Sequence, residues 1–277
     1  MSPPPQLVAS TGSDRSLALY DLRMGAPLRK LVMQTRSNAL AWNPMEPFNF
    51  TVANEDTCLY TYDMRRLGSA LCVHRDFVSA VLDVDFSPTG REFVAGAYDR
   101  SLRIFAYNGG HSREVYHTKR MQRVFAVQAR ARGAGEVEGR VGDRAGARAC
   151  SLPTAPAPSP LAPQFSVDGS YVFSGSDDMN VRVWKAEASE QQGTLLPRER
   201  HKHAYHKALV QRYGHLPEVH RIARKRHVPK DIHKAAQLRR AMEESERRRL
   251  RNRIQHSAPG AVEVKPARKK KVVAEVE

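Results

Sequence analysis

Residues 215–235, HLPEVHRIARKRHVPKDIHKA, set four histidines, three arginines and three lysines among few apolar residues. Two chemistries compete for such a stretch: imidazoles can ligate a metal, and cations can neutralise phosphates. Just upstream, His201, His203 and His206 form H-x-H-x-x-H, but no cysteine or well-placed carboxylate completes a tetrahedral set, so metal binding is set aside. Phosphate binding needs only dense Arg and Lys, because each neutralised phosphate releases counterions. Arg221, Arg224, Lys225, Arg226, Lys230, Arg239 and Arg240 are the candidates for contact with RNA or a ribonucleoprotein. No sheet carrying exposed stacking aromatics is recognisable, so such contacts should follow backbone and shape, not base sequence. Two further clusters, ERRRLRNR (Arg247, Arg248, Arg249, Arg251, Arg253) and ARKKK (Arg268, Lys269, Lys270, Lys271), suit nuclear import.

Enzymatic chemistry finds no foothold. The sequence has no Gly-rich phosphate loop, G-x-S-x-G elbow, H-E-x-x-H pair or C-x-x-C motif, and no cofactor is implied.

The basic residues are unevenly spread. The chain has 277 residues and a formal charge of +16, and residues 185–277 contain 24 Lys+Arg against 11 Asp+Glu. The first two thirds are thus nearly neutral, and the remainder is a polycation suited to nucleic acid. Cys58, Cys72 and Cys150 show no paired spacing, the start MSPPPQ carries no leader, and no run approaches the roughly 20 apolar residues of a membrane span. These features predict an intracellular protein with no membrane partner.

A neutral part must position the polycation, and it is repetitive. GSDRSLALYDLR (12–23), NEDTCLYTYDMR (54–65), AYDRSLRIFAYN (97–108) and SDDMNVRVWKAE (176–187) align, each with an Asp six residues before an aromatic: Asp14 and Tyr20, Asp56 and Tyr62, Asp99 and Phe105, Asp178 and Trp184. Apolar residues alternate between them, the period of a strand, and the Asp suits the preceding turn. Ahead of the later copies, 39–53, 81–97 and 165–176 each read as strand, turn, strand, with turns at S-P-T-G and V-D-G.

This pattern resembles the WD-repeat propeller, in which about 40–45 residues build a four-stranded blade. The resemblance gives the repeat aspartates, Trp184 and His74 structural roles. In that family a His in the loop before a blade's second strand bonds the turn Asp, a role that falls to His74 with Asp99. Asp spacings are 42, 43 and then 79 residues; removing 129–163, rich in Ala, Gly, Arg and Pro, restores 44. Residues 129–163 are therefore expected to be a disordered insertion in a blade joining 124–128 to 165–176. The fold expected is an all-β WD-repeat β-propeller of about four blades over 1–186, lacking N-terminal blades and leaving a strand edge unpaired. A basic α-helical extension over 187–277 follows. Its helices are expected over 198–213 and from Pro229, capped by Asp231, to about His256, with Glu243/Arg247 and Glu244/Arg248 at i,i+4.

RYGHLPEVHRIARKRHVPKDIHKA, RRRLRNRIQHSAPGAV and the KKK-VVAEVE ending, behind WD repeats, resemble the Sof-type WD-repeat family. That resemblance implies a nucleolar factor in the small-subunit processome, working on the small-subunit rRNA precursor beside other processome proteins and a small nucleolar ribonucleoprotein. YDLR (Tyr20, Asp21, Arg23) and YDMR (Tyr62, Asp63, Arg65) also resemble the aromatic-Asp-x-Arg box by which WD proteins dock to the adaptor of cullin-RING ubiquitin ligases. They imply an alternative role as a substrate receptor, with an exposed Arg at a blade edge pairing with an adaptor carboxylate.

Overall fold

The computed structural model describes residues 7–121, 123–128, 148–151, 169–190, 193–223 and 228–276. The first sheet is built on β1 (Leu7–Thr11), β2 (Ser16–Asp21) and β3 (Pro27–Met33). The second contains β4 (Ser37–Trp42), β5 (Asn49–Asn54), β6 (Cys58–Asp63) and β7 (Cys72–Arg75). The third contains β8 (Val81–Phe86), β9 (Glu92–Ala97), β10 (Leu102–Ala106) and β11 (Ser112–Tyr116). In the fourth, β12 (Val124–Gln128) pairs directly with β14 (Tyr171–Ser176), which pairs with β15 (Val181–Lys185). All pairings are antiparallel, and the sheets pack in chain order through β1, β4, β8 and β12. They are blades of a β-propeller arc.

The second and third blades are covered on both faces, so their middle strands are buried along nearly their whole length, as in FTVAN of β5 and CLYTY of β6. Three apolar clusters fill the spaces between sheets. Leu17, Leu31 and Met33 meet Phe50 and Tyr62; Leu59 and Phe77 meet Phe86, Phe93 and Phe105; Val94 and Ile104 meet Val124 and Val172.

The first sheet has five strands, because two further segments pair with the edges of β1 and β3. Its inner edge is covered by β13 (Arg148–Ser151), with Ala9 opposite Cys150. Its outer edge is covered by β16 (Val272–Val276), with Val272 opposite Met33 and Val276 opposite Lys30. Two expectations change here. Residues 148–151 of the insertion are a strand, and the rest of 129–163 lies outside the described residues. The first sheet's edges are also paired by the chain itself, because unsatisfied edge N–H and C=O groups recruit any segment of compatible pattern.

The repeat aspartates sit in hairpin turns. Arg15, Thr57, Arg100 and Met179, with φ of 63°, 73°, 64° and 59°, each follow one of them directly. A side-chain-bearing residue in this left-handed region costs about 1–2 kcal/mol. Three of the turns offset that cost by carboxylate bonds to the backbone. Asp14 Oδ1 accepts the Ser16 amide at 3.1 Å, Asp56 Oδ1 the Cys58 amide at 3.1 Å, and Asp99 Oδ1 the Ser101 amide at 3.0 Å. Hydrogen bonds from the Ser16 hydroxyl and amide and from Lys30 hold the Asp14 carboxyl down at about 2. Asp178 instead accepts both arms of the Arg182 guanidinium, which pushes its carboxyl below the ordinary range. Trp184 donates from Nε1 to Ser174 Oγ at 2.8 Å, tying β15 to β14.

His74 departs from the expected role. It lies within β7, and Asp99 is met by the Val78 amide at 3.4 Å and by Arg103 at 3.8 Å. The loop residue that meets Asp99 is thus Val78, and the ring of its neighbour Phe77 lies under the Arg103 guanidinium. His74 Nδ1 faces the Gly109 carbonyl, which can only accept, so Nδ1 carries the proton. Nε2 then accepts from Thr61 Oγ1 at 2.9 Å, which in turn accepts from Thr51 Oγ1 at 2.9 Å. The ring also stands edge-on to Phe93 and Phe105. A neutral imidazole thus bolts the second blade to the third.

Burial pushes the His74 imidazole down to about 4, against a partial lift from the Gly109 carbonyl. As pH falls from about 6.5 the unfolded chain takes up the proton first, so stability falls until pH 4 and then levels; the loss is about 3 kcal/mol. His74→Gln should flatten the pH dependence of the unfolding midpoint between pH 6.5 and 4. An unchanged slope in that variant would show that His74 is not the group responsible.

Candidate nucleic-acid interface

Helix α1 (Pro197–Tyr213) opens with Pro197 at its first position, where no amide bond is lost, and Glu199 accepts the Leu196 amide at 3.4 Å. None of its residues is buried. Helix α2 (Pro217–Ala223), absent from the sequence expectation, carries Arg221 on its exposed surface. Arg224, Lys225 and Arg226 lie outside the described residues. Helix α3 (Lys230–Gln255) starts after Pro229, so Asp231 sits in its first turn, not at the cap. There its charge still favours the helix N-terminus.

Helix α3 has two halves with different fates. Its inward stripe runs through Ile232, Ala235, Ala236, Arg239 and Glu243, the i, i+3, i+4, i+7 spacing of one face. From Glu244 to Gln255 every residue except Leu250 is exposed, including Arg247, Arg248, Arg249, Arg251 and Arg253. Glu243 bridges Arg239 at 3.2 Å and Arg247 at 3.7 Å, and Glu244 pairs with Arg248 at 3.8 Å. These solvated i,i+4 pairs contribute about 0.2–0.5 kcal/mol each.

Arg239 is the anchor. Its Nη1 donates to the Phe77 carbonyl at 2.7 Å and to Thr57 Oγ1, and Nη2 lies 3.6 Å from Cys58 Sγ. The guanidinium expected to face RNA is therefore spent on the β5–β6 turn and the loop after β7; Arg240, beside it, is exposed. Lys271 reaches the same turn from the other end of the extension, 3.8 Å from Asp56 Oδ2. Flanking backbone bonds fix this strap: Gln34 donates to the Lys271 carbonyl at 3.0 Å and Ala70 to the Arg268 carbonyl at 3.1 Å. Arg268, Lys269 and Lys270 remain exposed, as does Lys230.

The two YDxR boxes are local copies. Asp21 Oδ1 accepts the Arg23 amide at 3.0 Å, and Asp63 Oδ1 accepts the Arg65 amide at 2.9 Å. They lie side by side, since Arg29 Nη1 donates to the Arg65 carbonyl at 2.6 Å. Their tyrosines diverge. Tyr20 is 37% exposed, whereas Tyr62 is 0% exposed and packs on Phe50 and Tyr60. Tyr62 therefore belongs to the core and is withdrawn from the docking set, its phenol pushed far up by burial. Both Arg23 and Arg65 are exposed, and Arg65 lies over the Phe48 ring at 3.8 Å.

Among the described residues, no three His, Cys, Asp or Glu side chains converge as a metal site. His201 and His203, two residues apart on α1, point to different helix faces. Sequence reasoning also passed over Arg75 and His111. Arg75 ends β7 and His111 lies in the loop after β10, and only the fold brings them opposite α3 across a cleft of about 590 Å³.

Comparison with known proteins matches residues 186–272 to the Sof1-like domain, and 68–105 and 161–185 to the WD domain, G-beta repeat. The chain is 47% identical over 273 residues to DDB1- and CUL4-associated factor 13 of Danio rerio, covering 99% of this chain and 53% of that protein. The Xenopus laevis protein of the same name is 45% identical over 271 residues, covering 98% and 53%. Protein SOF1 of Saccharomyces cerevisiae is 46% identical over 246 residues, covering 89% and 43%. The chain thus spans about half the length of these curated relatives.

Arg239→Ala leaves the Phe77 carbonyl without its partner and should loosen α3 by about 1–3 kcal/mol. Hydrogen exchange at 232–243 is expected to accelerate in this variant, with the inter-sheet strands β4 and β8 unaffected. Unchanged protection at 232–243 would show that Arg239 does not hold the helix.

Proposed function

The chain belongs to the Sof1-like family of WD-repeat proteins, and from that footing we propose that it is a non-enzymatic ribosome-biogenesis factor of the small-subunit processome. In this reading it works in the nucleolus on processing of the small-subunit rRNA precursor, beside processome proteins and a small nucleolar ribonucleoprotein. The observation that carries the reading is the division within α3. One half is anchored to a near-neutral blade array by Arg239, and the other holds Arg247, Arg248, Arg249, Arg251 and Arg253 in solvent. An arginine array held at a fixed place is a salt-sensitive grip on phosphate-rich assemblies. The exposed clusters 247–253 and 268–270 also serve nuclear import in this reading; Lys271 contributes less, because it pairs with Asp56. Tagged chain in cell extract should co-sediment with large pre-ribosomal particles at low salt and leave them as salt is raised. Sedimentation only as a small complex at every salt concentration counts against the proposal.

A second reading rests on the twin boxes. Relatives carry the name DDB1- and CUL4-associated factor, and two identical Asp-x-Arg turns present Arg23 and Arg65 on one surface of neighbouring blades. We read this surface as a dock for the cullin-ligase adaptor DDB1, with the chain acting as a substrate receptor. A bidentate Arg–carboxylate contact is the chemistry expected there. Arg23→Ala combined with Arg65→Ala should reduce capture of DDB1 by at least ~10-fold, the effect of about 1.4 kcal/mol. Capture at the unmodified level in the double variant would remove the dock.

A further inference from the structure

The cleft between α3 and the blade loops has two basic walls. Arg75 comes from the end of β7 and His111 from the loop after β10; Arg240, Arg247, Arg248 and Arg251 come from the helix. Six arginines line it in all, against the three carboxylates of Asp76, Glu243 and Glu244. Those carboxylates are already engaged. Asp76 accepts from His111 Nδ1 at 2.9 Å and from the Ser112 amide and hydroxyl at 2.7 Å each. Glu243 lies between Arg239 and Arg247, and Glu244 is paired to Arg248. Arg75, Arg240 and Arg251 form no ion pair among the described residues, although like charges facing across a cleft repel. An anion placed between the walls would satisfy both.

We infer that this cleft is the seat for a segment of RNA sugar-phosphate backbone, an inference that rests on the pre-ribosomal reading above and locates its contact. Three features favour RNA over an acidic peptide. The basic surface does not stop at the cleft, because Arg249 and Arg253 extend it along the exposed half of α3. Arginines four residues apart, Arg247 with Arg251 and Arg249 with Arg253, are spaced about 6 Å along the axis, the order of successive phosphates on one strand. The lining offers no exposed aromatic to stack a base, since Phe77 is buried beneath Arg103, so the contact is to backbone. Arg239 takes no part in RNA contact; it sets the height of the helix above the loops.

The test compares two triple variants of the whole chain, matched in charge. Arg75→Ala/Arg240→Ala/Arg251→Ala empties the cleft of its unpaired cations. Arg198→Ala/Lys202→Ala/Arg212→Ala removes three from α1, none of them buried. Binding is read by fluorescence anisotropy of a labelled RNA hairpin, with decaglutamate as the competing acidic peptide. The cleft triple should weaken RNA binding about 30-fold and flatten the log–log salt slope by about 2, as three lost phosphate contacts require. The α1 triple should lose about 3-fold or less, its charge acting only at long range. Restoring charge with Arg75→Lys/Arg240→Lys/Arg251→Lys should recover most of the affinity, which separates lost cations from a damaged fold. Equal losses in the two alanine triples would overturn the seat in favour of diffuse attraction. Decaglutamate binding as tightly as RNA, with the same sensitivity to the cleft triple, would overturn it in favour of an acidic protein partner. Either result leaves the pre-ribosomal reading standing if the unmodified chain still sediments with large particles.

Discussion

A strand edge that is not paired leaves a row of backbone donors and acceptors without partners, and this structure is organised around that requirement. The first sheet meets it with segments from far along the chain, β13 on one side and β16 on the other. The second consequence matters more than the first. β16 ends the polycationic extension, so pairing one edge also ties the extension back to the blade at which the described chain begins. Val272 packs against the first apolar cluster while Glu275 approaches Arg29 at 3.6 Å, and the strap between them and α3 is thereby held at both ends. On the fourth sheet β15 has one neighbour, β14, among the described residues, and Val181 and Val183 are 58% and 57% exposed there. The arc is therefore well sealed at its first blade and more open at its fourth.

Identical side chains take opposite roles on α3, and position on the helix decides which. Arg239 falls on the inward stripe, where a backbone carbonyl, a hydroxyl, a thiol and Glu243 surround its guanidinium. Several hydrogen bonds to one planar fork compensate its loss of water, which a lysine could not match. Arg247 and Arg248 are turned out about two turns later, at 70% and 72% exposure, with only helix carboxylates for company. Exposed pairs of that kind contribute little to stability and break readily. The array therefore stays available to a competing anion, and the half-buried Arg239 fixes where that array stands.

Much of this was legible in the sequence because it is local. Alternating apolar residues, an Asp six positions ahead of an aromatic, and turn residues between short runs gave three complete blade cores and most of the fourth. The direct pairing of β12 with β14 follows once 129–163 is read as an interruption. Helices α1 and α3 were visible within one or two residues at most ends, since Pro197 and Pro229 punctuate them. Long-range pairing was not legible. VVAEV alternates too weakly to announce a strand, and its partner Leu31 lies some 240 residues earlier. His74 was read by analogy with a loop histidine, but its register opposite Leu59 places it inside a strand. Tyr62 was misjudged for a related reason: a box motif says nothing about whether Phe50 lies above its ring. Arg239 could have been picked out, because Ile232, Ala235, Ala236 and Arg239 share one helix face.

The geometry of β6 settles how the two surfaces relate. The strand begins at Cys58, beside the turn that Arg239 and Lys271 hold, and ends at Asp63, where the YDMR box begins. Six residues of extended chain separate its ends by roughly 17–20 Å. The helix lies at the Asp56–Cys58 end, together with Arg75 at the end of β7 and the Phe77 loop, while both boxes lie at the other. A protein bound to Arg23 and Arg65 therefore approaches from the side opposite the arginine cleft. Occupation of one surface does not block the other, so the two proposed roles, RNA grip and adaptor docking, are sterically compatible. Any antagonism between them has to pass through the blade itself, and β6, buried and hydrogen-bonded on both sides, is poorly suited to transmit it.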